Sequence, residues 1–410
     1  MAMSRLAQIV FMAAWLLLPI QMMAEVAGDG SVPAADSALA KPSEAMLRPD
    51  YIRATLLVVD PAAEVYSVFG HCALRLQCPS QQMDYCFTFE MSTSAEDIVS
   101  FFRGTAMGAF KPAPTNLYID HYRQQGRGMT EYELNLLPTE KLQLWRTADE
   151  EIVKGFSRRY GYMHAQCTSM IVYLVGRALG TRITYHELPE GLDGSFRDQM
   201  LEASKPYPWS AFFWQSVMGP EGDETEPLAH KLVPQKFPAA WQQATVGDED
   251  RHLIVAPGKC IVEHTTEADS CWLSPTLVFS LLLLLVCLIS LAQMLKGWRV
   301  LPLVTDMLLL TFHTVVGLLL LWLVLFSEQE GTGWNWYLLA FNPIPLLLWL
   351  ALPRCRKWTL LCTIALLVLT LVLTPFIPQL DLPHALLICC LVVRLLTLLK
   401  TNFNINVLTK

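Results

Sequence analysis

The chain has 410 residues, enough for two or three structural units, and 53% of them are hydrophobic. That content comes from the C-terminal third, which excludes a wholly soluble protein and points to a soluble head on a membrane block. The net charge of −7 is spread over the head without long like-charge runs, which argues against a nucleic-acid partner.

Residues 1–24 combine a basic start (Arg5), an apolar run over 6–20 and a short polar exit ending at Ala24. This pattern predicts a secretory signal peptide. Met22 stands where a small residue is preferred for cleavage, so an uncleaved anchor is the alternative. Either form exports the head. Residues 25–46 are rich in Ala, Ser, Asp and Pro and predict a disordered linker.

The head is expected over 47–271. Residues 51–60 predict a strand that stops at Asp60-Pro61. Strands at 71–77 and 84–90 complete an antiparallel meander. Short helices are expected at 94–103 and 115–126, a strand at 128–137 and a long helix at about 139–158. The segment 167–179 predicts a helix stopped by Gly180. From about 181 to 270 periodicity is weak, and an irregular annex is expected. Its Trp209, Phe212, Phe213 and Trp214 suit core packing, with contact to lipid headgroups as the alternative.

The last block, 272–410, predicts five membrane-spanning helices near 272–294, 301–326, 336–353, 358–378 and 383–400. Lys296 and Arg299 lie in the first loop, Arg354, Arg356 and Lys357 in the third, and Lys400 and Lys410 at the end. Glu328 and Glu330 occupy the second loop and Asp381 the fourth. The positive-inside rule then places the C-terminus inside and the head outside. Asp306 and His313 share one face of the second helix and are candidates for function by their depth alone. The plainer reading has Asp306 near the inner interface and His313 bonded to a neighbouring helix. Asn342, Pro343 and Pro345 break the third helix, and such a break must line a cavity or be covered by protein.

Two residues of the head carry candidate chemistry. In the strand at 71–77, Cys72, Leu74 and Leu76 share one face, while His71, Ala73, Arg75 and Gln77 share the other. His71 therefore points away from the apolar face, beside Gly70, where backbone or substrate can approach closely. Cys167 opens a helix whose Cys167, Met170, Ile171, Leu174, Val175 and Ala178 form one stripe. Packing that stripe on the sheet sets the thiol at the sheet's edge, where the helix N-terminus favours thiolate. An imidazole nearby would complete a cysteine nucleophile; a structural cysteine is the alternative. Cys78 and Cys86 flank a turn and are candidates to bridge, as are Cys260 and Cys271, since an exported head permits disulfides. Cys72 is then read as a bystander. No Cys/His spacing suggests a metal site, and neither a phosphate loop nor a serine-hydrolase elbow is present.

Several ordered runs go further. EVYSVFGHCALRL over 64–76, SFFRG over 100–104, GRGMTEYELNL over 126–136 and QCTSM over 166–170 resemble the N-terminal periplasmic domain of the Lnb-type lipoprotein N-acyltransferases. The tail, with WNWYLLAFNP over 334–343, resembles the transmembrane domain paired with it. The resemblance implies an α+β head of circularly permuted papain-like (NlpC-type) fold, followed by an all-α five-helix transmembrane domain. It implies His71 as base and Cys167 as nucleophile, with Glu64, Tyr66, Ser67 and Arg75 as family-pattern residues near the site. Gln166 stands where the family has Asn, which puts oxyanion stabilisation by this residue in doubt. A third polar partner of His71 is expected from the next strand, which offers Asp84, Tyr85 or Glu90. The implied activity moves an acyl chain from a phospholipid, through a Cys thioester, to the amine of a diacylglyceryl lipoprotein. It needs no cofactor and runs at the bacterial inner membrane with the head in the periplasm. The alternatives are a cell-wall amidase or peptidase using the same pair, and a non-catalytic receptor or scaffold.

Overall fold

The computed structural model describes residues 42–91, 95–186, 194–225, 232–247, 251–265, 273–343 and 356–403. The expected signal and most of the linker lie outside them.

The head is built on an antiparallel sheet. Its strands are β1 (Arg53–Val59), β2 (His71–Cys78), β3 (Met83–Glu90), β4 (Met107–Pro114), β5 (Met129–Glu133), β6 (Ser157–Arg159) and β10 (Lys259–Val262), in the order β10-β5-β1-β2-β3-β4-β6. β1 is an interior strand, and six of its seven residues are buried because both faces of the sheet are covered. A short helix, α1 (Ala95–Arg103), links β3 to β4. On one face of the sheet lie α3 (Pro138–Val153) and α4 (Cys167–Leu179). Met170, Ile171, Leu174 and Val175 of α4 meet Leu56, Leu74 and Leu76 there. On the other lies α2 (Thr115–Gln124), whose Tyr118 and Tyr122 meet Leu57, Val59 and Ala73. Thus the face of β2 that carries His71 is covered as well.

β4 was not expected from the sequence. Its MGAFKPAP run contains two prolines, which ordinarily argue against a strand. They are tolerated because β6 pairs only with Met107, Gly108 and Ala109, so Pro112 and Pro114 lie on a free edge. A second correction concerns the annex. It holds helices α5 (Phe196–Ala203), α6 (Pro208–Val217) and α7 (Phe237–Gln243) and a small sheet of β7 (Ile183–Thr184), β8 (Thr245–Val246) and β9 (Arg251–His252). β10 returns to the main sheet beside β5, and Phe237 and Trp241 are wholly buried in the main core. These elements are too short to leave a periodic signature. The expected Cys78–Cys86 bridge is absent: both are free thiols, as is Cys260, while Cys271 lies outside the described residues. Cys78 pairs with Met83 and Cys86 with Arg75, so the two sulfurs lie on opposite faces of the sheet.

Four helices among the described residues are long and apolar enough to cross a membrane. They are α8 (Pro275–Lys296), α9 (Val300–Phe326), α10 (Arg356–Leu373) and α11 (Leu382–Phe403). The expected third span at 336–353 begins as a single 3-10 turn, Trp336–Leu338, and its remainder from 344, Pro345 included, lies outside the described residues. Gly317 makes room for this segment, because a Cβ there would sit 1.8 Å from the Phe341 carbonyl oxygen. His313 donates from Nε2 to the Ala340 carbonyl at 2.9 Å, and Asp306 accepts two hydrogen bonds from Arg394, at 2.6 and 2.9 Å. Asp306 is thus ion-paired to α11, and His313 is bonded to the turn that follows Leu338 and not to a neighbouring helix. Arg394, a lone cation in an otherwise apolar run, is the partner that the sequence pattern did not single out.

The head rests on the segments 327–338 and 374–384, whose acidic charge assigned them to the outer side. Ser327 Oγ donates to the Phe102 carbonyl at 2.6 Å, and Arg159 pairs with Glu328. Glu330 accepts from the His164 amide at 2.8 Å, and Asn335 Nδ2 donates to the Ser216 carbonyl at 2.8 Å. Within the aromatic cluster of the annex, Trp209 and Phe212 serve this junction and Trp214 packs in the head. Trp209 donates to the Leu273 carbonyl at 2.9 Å, Phe212 stacks on His384 at 4.2 Å, and Trp214 is buried against Phe69.

Candidate active site

Gly70 has a φ of +78°, and a Cβ on it would meet Gln235 Nε2 at 2.1 Å and the Val59 carbonyl oxygen at 2.6 Å. Only a residue without a side chain closes the 64–70 turn this tightly, and the closure fixes His71 as the first residue of β2. Cys167 is the first residue of α4, whose stripe packs on the same sheet. The two elements bring the imidazole and the thiol close enough for each to act on the other's charge. His71 is half-buried and Cys167 is buried. Thr88 Oγ1 lies 2.6 Å from His71 Nε2, which leaves Nδ1 as the nitrogen for sulfur.

The electrostatics favour a thiolate–imidazolium pair. A hydrogen bond from the Cys72 thiol, the charge of His71 and the Cys72 backbone amide hold the Cys167 thiol well below its usual range, against the opposing effect of burial. Burial pulls His71 down, but the charge of Cys167, its hydrogen bond and the carboxylate of Glu90 outweigh it and leave the imidazole raised. Cys72 is pushed well above the ordinary thiol range by burial and by Cys167, so it stays protonated and donates. A lowered thiol keeps its thiolate as pH falls, and a raised imidazole keeps its proton as pH rises past its usual value. The ion pair therefore fills the window between. Iodoacetamide is expected to alkylate Cys167 at a nearly constant rate from about pH 8 down to about pH 6, followed by mass of the Cys167 peptide. A rate falling tenfold per unit across that range would mean an ordinary thiol.

The other expected site residues divide. Glu90 lies close enough to act on His71 by charge, although its carboxylate is 3.7 Å from Lys111 Nζ. Ser67 is buried in the turn, and its carbonyl accepts from the Gly70 amide at 2.9 Å. Glu64 and Tyr66 are exposed in the same turn. Gln166 precedes α4 and donates from Nε2 to the Leu232 carbonyl at 3.4 Å, so its side-chain amide is engaged by the backbone. Arg75 is not brought to the site. It lies four residues along β2, paired with Asp84 at 2.6 Å and Glu131 at 2.7 Å.

Two contacts differ from expectation. The polar partner of His71 on the next strand is Thr88, and Asp84 is engaged by Arg75. The signal was a lone Thr in the apolar run Cys-Phe-Thr-Phe, on the His71 side by strand parity. Cys72, read as a bystander, touches the nucleophile candidate, because its face is the one that α4 covers. Among the described residues no group of three or more His, Cys, Asp or Glu is placed to hold a metal ion.

Next to Cys167 in sequence, Tyr162 and His164 reach Gly331 and Glu330 on the outer side of the membrane helices. A cysteine and a histidine that act on each other by charge thus lie in a head mounted on a membrane block, with Cys167 near the side where the two meet. Two family models match the chain, the Lnb N-terminal periplasmic domain over residues 40–193 and the Lnb transmembrane domain over 266–404. The chain belongs to the Lnb family of lipoprotein N-acyltransferases, as a membrane protein with a periplasmic domain. Neither the curated proteins nor the solved structures gave a match.

Proposed function

We propose that the protein transfers an acyl chain from a phospholipid to the N-terminal amine of diacylglyceryl lipoproteins at the bacterial inner membrane, with Cys167 as nucleophile and His71 as base. The observation that carries this is the mutual electrostatic action of Cys167 and His71, at the starts of α4 and β2, beside the segments that join head to membrane.

The chemistry derives from the pair. The Cys167 thiolate attacks the ester carbonyl of a phospholipid. Backbone amides in the first turn of α4 face the developing oxyanion. His71 Nδ1–H protonates the departing glycerol oxygen, and lysophospholipid leaves. Thr88 holds the ring through Nε2 so that Nδ1 stays on the sulfur. The acceptor amine then attacks the thioester. His71 takes its proton, an amide forms and the thiolate is restored. A thioester suits the task because amines attack it readily, and the two half-reactions give ping-pong kinetics. Burial of Cys167 keeps water from the intermediate.

The test is direct. Purified protein in micelles, given phospholipid without acceptor, is expected to carry one acyl mass on the Cys167 peptide, removable by neutral hydroxylamine. A bare Cys167 peptide with lysophospholipid still formed would refute the thioester.

A further inference from the structure

One cation beside the dyad takes no part in the acyl transfer itself. Arg127 lies in the loop between α2 and β5 and is only 5% exposed. Its Nε donates to the Asp60 carbonyl at 2.8 Å, and its guanidinium carbon lies 4.9 Å from the centre of the Tyr122 ring. Its Nη2 is buried without a hydrogen-bond partner. Native proteins rarely leave a charged donor in this state, because it loses water and gains nothing in exchange. The carboxylates of Asp60 and Glu90 are engaged elsewhere, at 3.0 Å from His264 Nδ1 and 3.7 Å from Lys111 Nζ. The ring of Tyr122 also lies 6.4 Å from that of His71, so Arg127 and His71 both border this ring. The charge of Arg127 is felt at His71.

We infer that Arg127 binds the phosphate diester of the acyl-donor lipid and so selects the donor. This rests on the acyltransfer reading. In a glycerophospholipid only ester oxygens and glycerol carbons separate the reactive carbonyl from phosphorus, so the phosphate stays close to an ester held beside His71. A guanidinium presents parallel N–H groups that match two phosphate oxygens. The acceptor, a diacylglyceryl thioether, carries no phosphate at the same place. Arg127 therefore discriminates between the two lipids that visit one thiol, which a ping-pong enzyme requires if it is not to deacylate its own acceptor.

The test uses full-length protein in lipid nanodiscs and ether-linked probes, which cannot be cleaved. The probes are an ether phosphatidylglycerol, the matching neutral diether glycerol and inorganic phosphate. The wild type is expected to prefer the phospholipid over the neutral lipid. Arg127→Gln is expected to weaken phospholipid binding on the order of tenfold to a hundredfold and leave the neutral lipid unchanged, with Arg127→Lys between. Equal binding by wild type and Arg127→Gln overturns the assignment. An equal loss for both lipids also overturns it, since that marks a packing role. Arg127-dependent binding of inorganic phosphate without any lipid preference assigns the site to a free anion and overturns the lipid reading. Failure of the acyltransfer reading would show separately, as an ester phospholipid that never acylates Cys167 while the ether-lipid preference persists.

Discussion

Cys167→Ala is expected to lower N-acylation of diacylated lipoproteins by about 10⁴-fold or more, while the protein still folds and inserts. The reason is that, in the mechanism proposed, the thiolate holds the acyl chain between donor and acceptor. Without it the reaction reverts to direct attack of an amine on an unactivated ester. The cavity left by a sulfur at the first turn of α4 is small beside the packed stripe behind it, so folding tolerates the change. His71→Ala is expected to fall nearly as far, and the double variant no further, because base and nucleophile act as one unit. The measurement is mass spectrometry of lipoprotein N-termini in a strain whose sole N-acyltransferase is the variant. Full triacylation by Cys167→Ala would remove the dyad from the mechanism. It would leave the pair as structure, with the membrane helices supporting some other activity. Loss of cell-wall peptide processing with lipoproteins unaffected would instead favour an amidase.

The largest expected loss of stability lies far from the dyad, among the membrane helices. Arg394 is 2% exposed and is held by Asp306 of α9 and by Ser290 and Gln293 of α8. Asp306→Ala leaves that guanidinium buried without its counter-charge, at a cost of about 3–5 kcal/mol. Arg394→Met strands the carboxylate in the same way. Replacing both together, Asp306→Leu with Arg394→Met, is expected to restore most of the loss, because desolvation of the two ions had offset their attraction. Reversible unfolding in mixed micelles reads all three variants. A single variant as stable as the wild type would show that water reaches the pair. Acyltransfer per folded molecule should be unchanged in the double variant, since Arg394 and Asp306 lie in the half of the helices away from the head.

How far the dyad was legible in advance depends on what kind of pattern carries each part. The stripe from Cys167 to Ala178 and the Gly70-His71 step are local patterns, and both ended where periodicity placed them. The loop charges likewise separated the outer segments from the inner ones before any contact was known, and the head does sit on the acidic pair. β4 and the annex were missed for an equally local reason. Two prolines hid an edge strand, and elements of two to ten residues produce too few turns of periodicity to register. Trp241, wholly buried in the main core, gave no hint of that place from its neighbours in sequence.

The amino-acid order alone determined an exported head, apolar spans, and one thiol and one imidazole at the starts of their elements. It could do so because hydrophobic period, helix caps and loop charge are short-range properties. Which groups meet at the site was settled only by tertiary packing. Thr88 reaches His71 because β3 pairs beside β2, Cys72 reaches Cys167 because α4 covers that face, and Arg127 is stripped of water because α2 folds Tyr122 over it. Burial and pairing over long sequence separations set these contacts, and no window along the chain contains them.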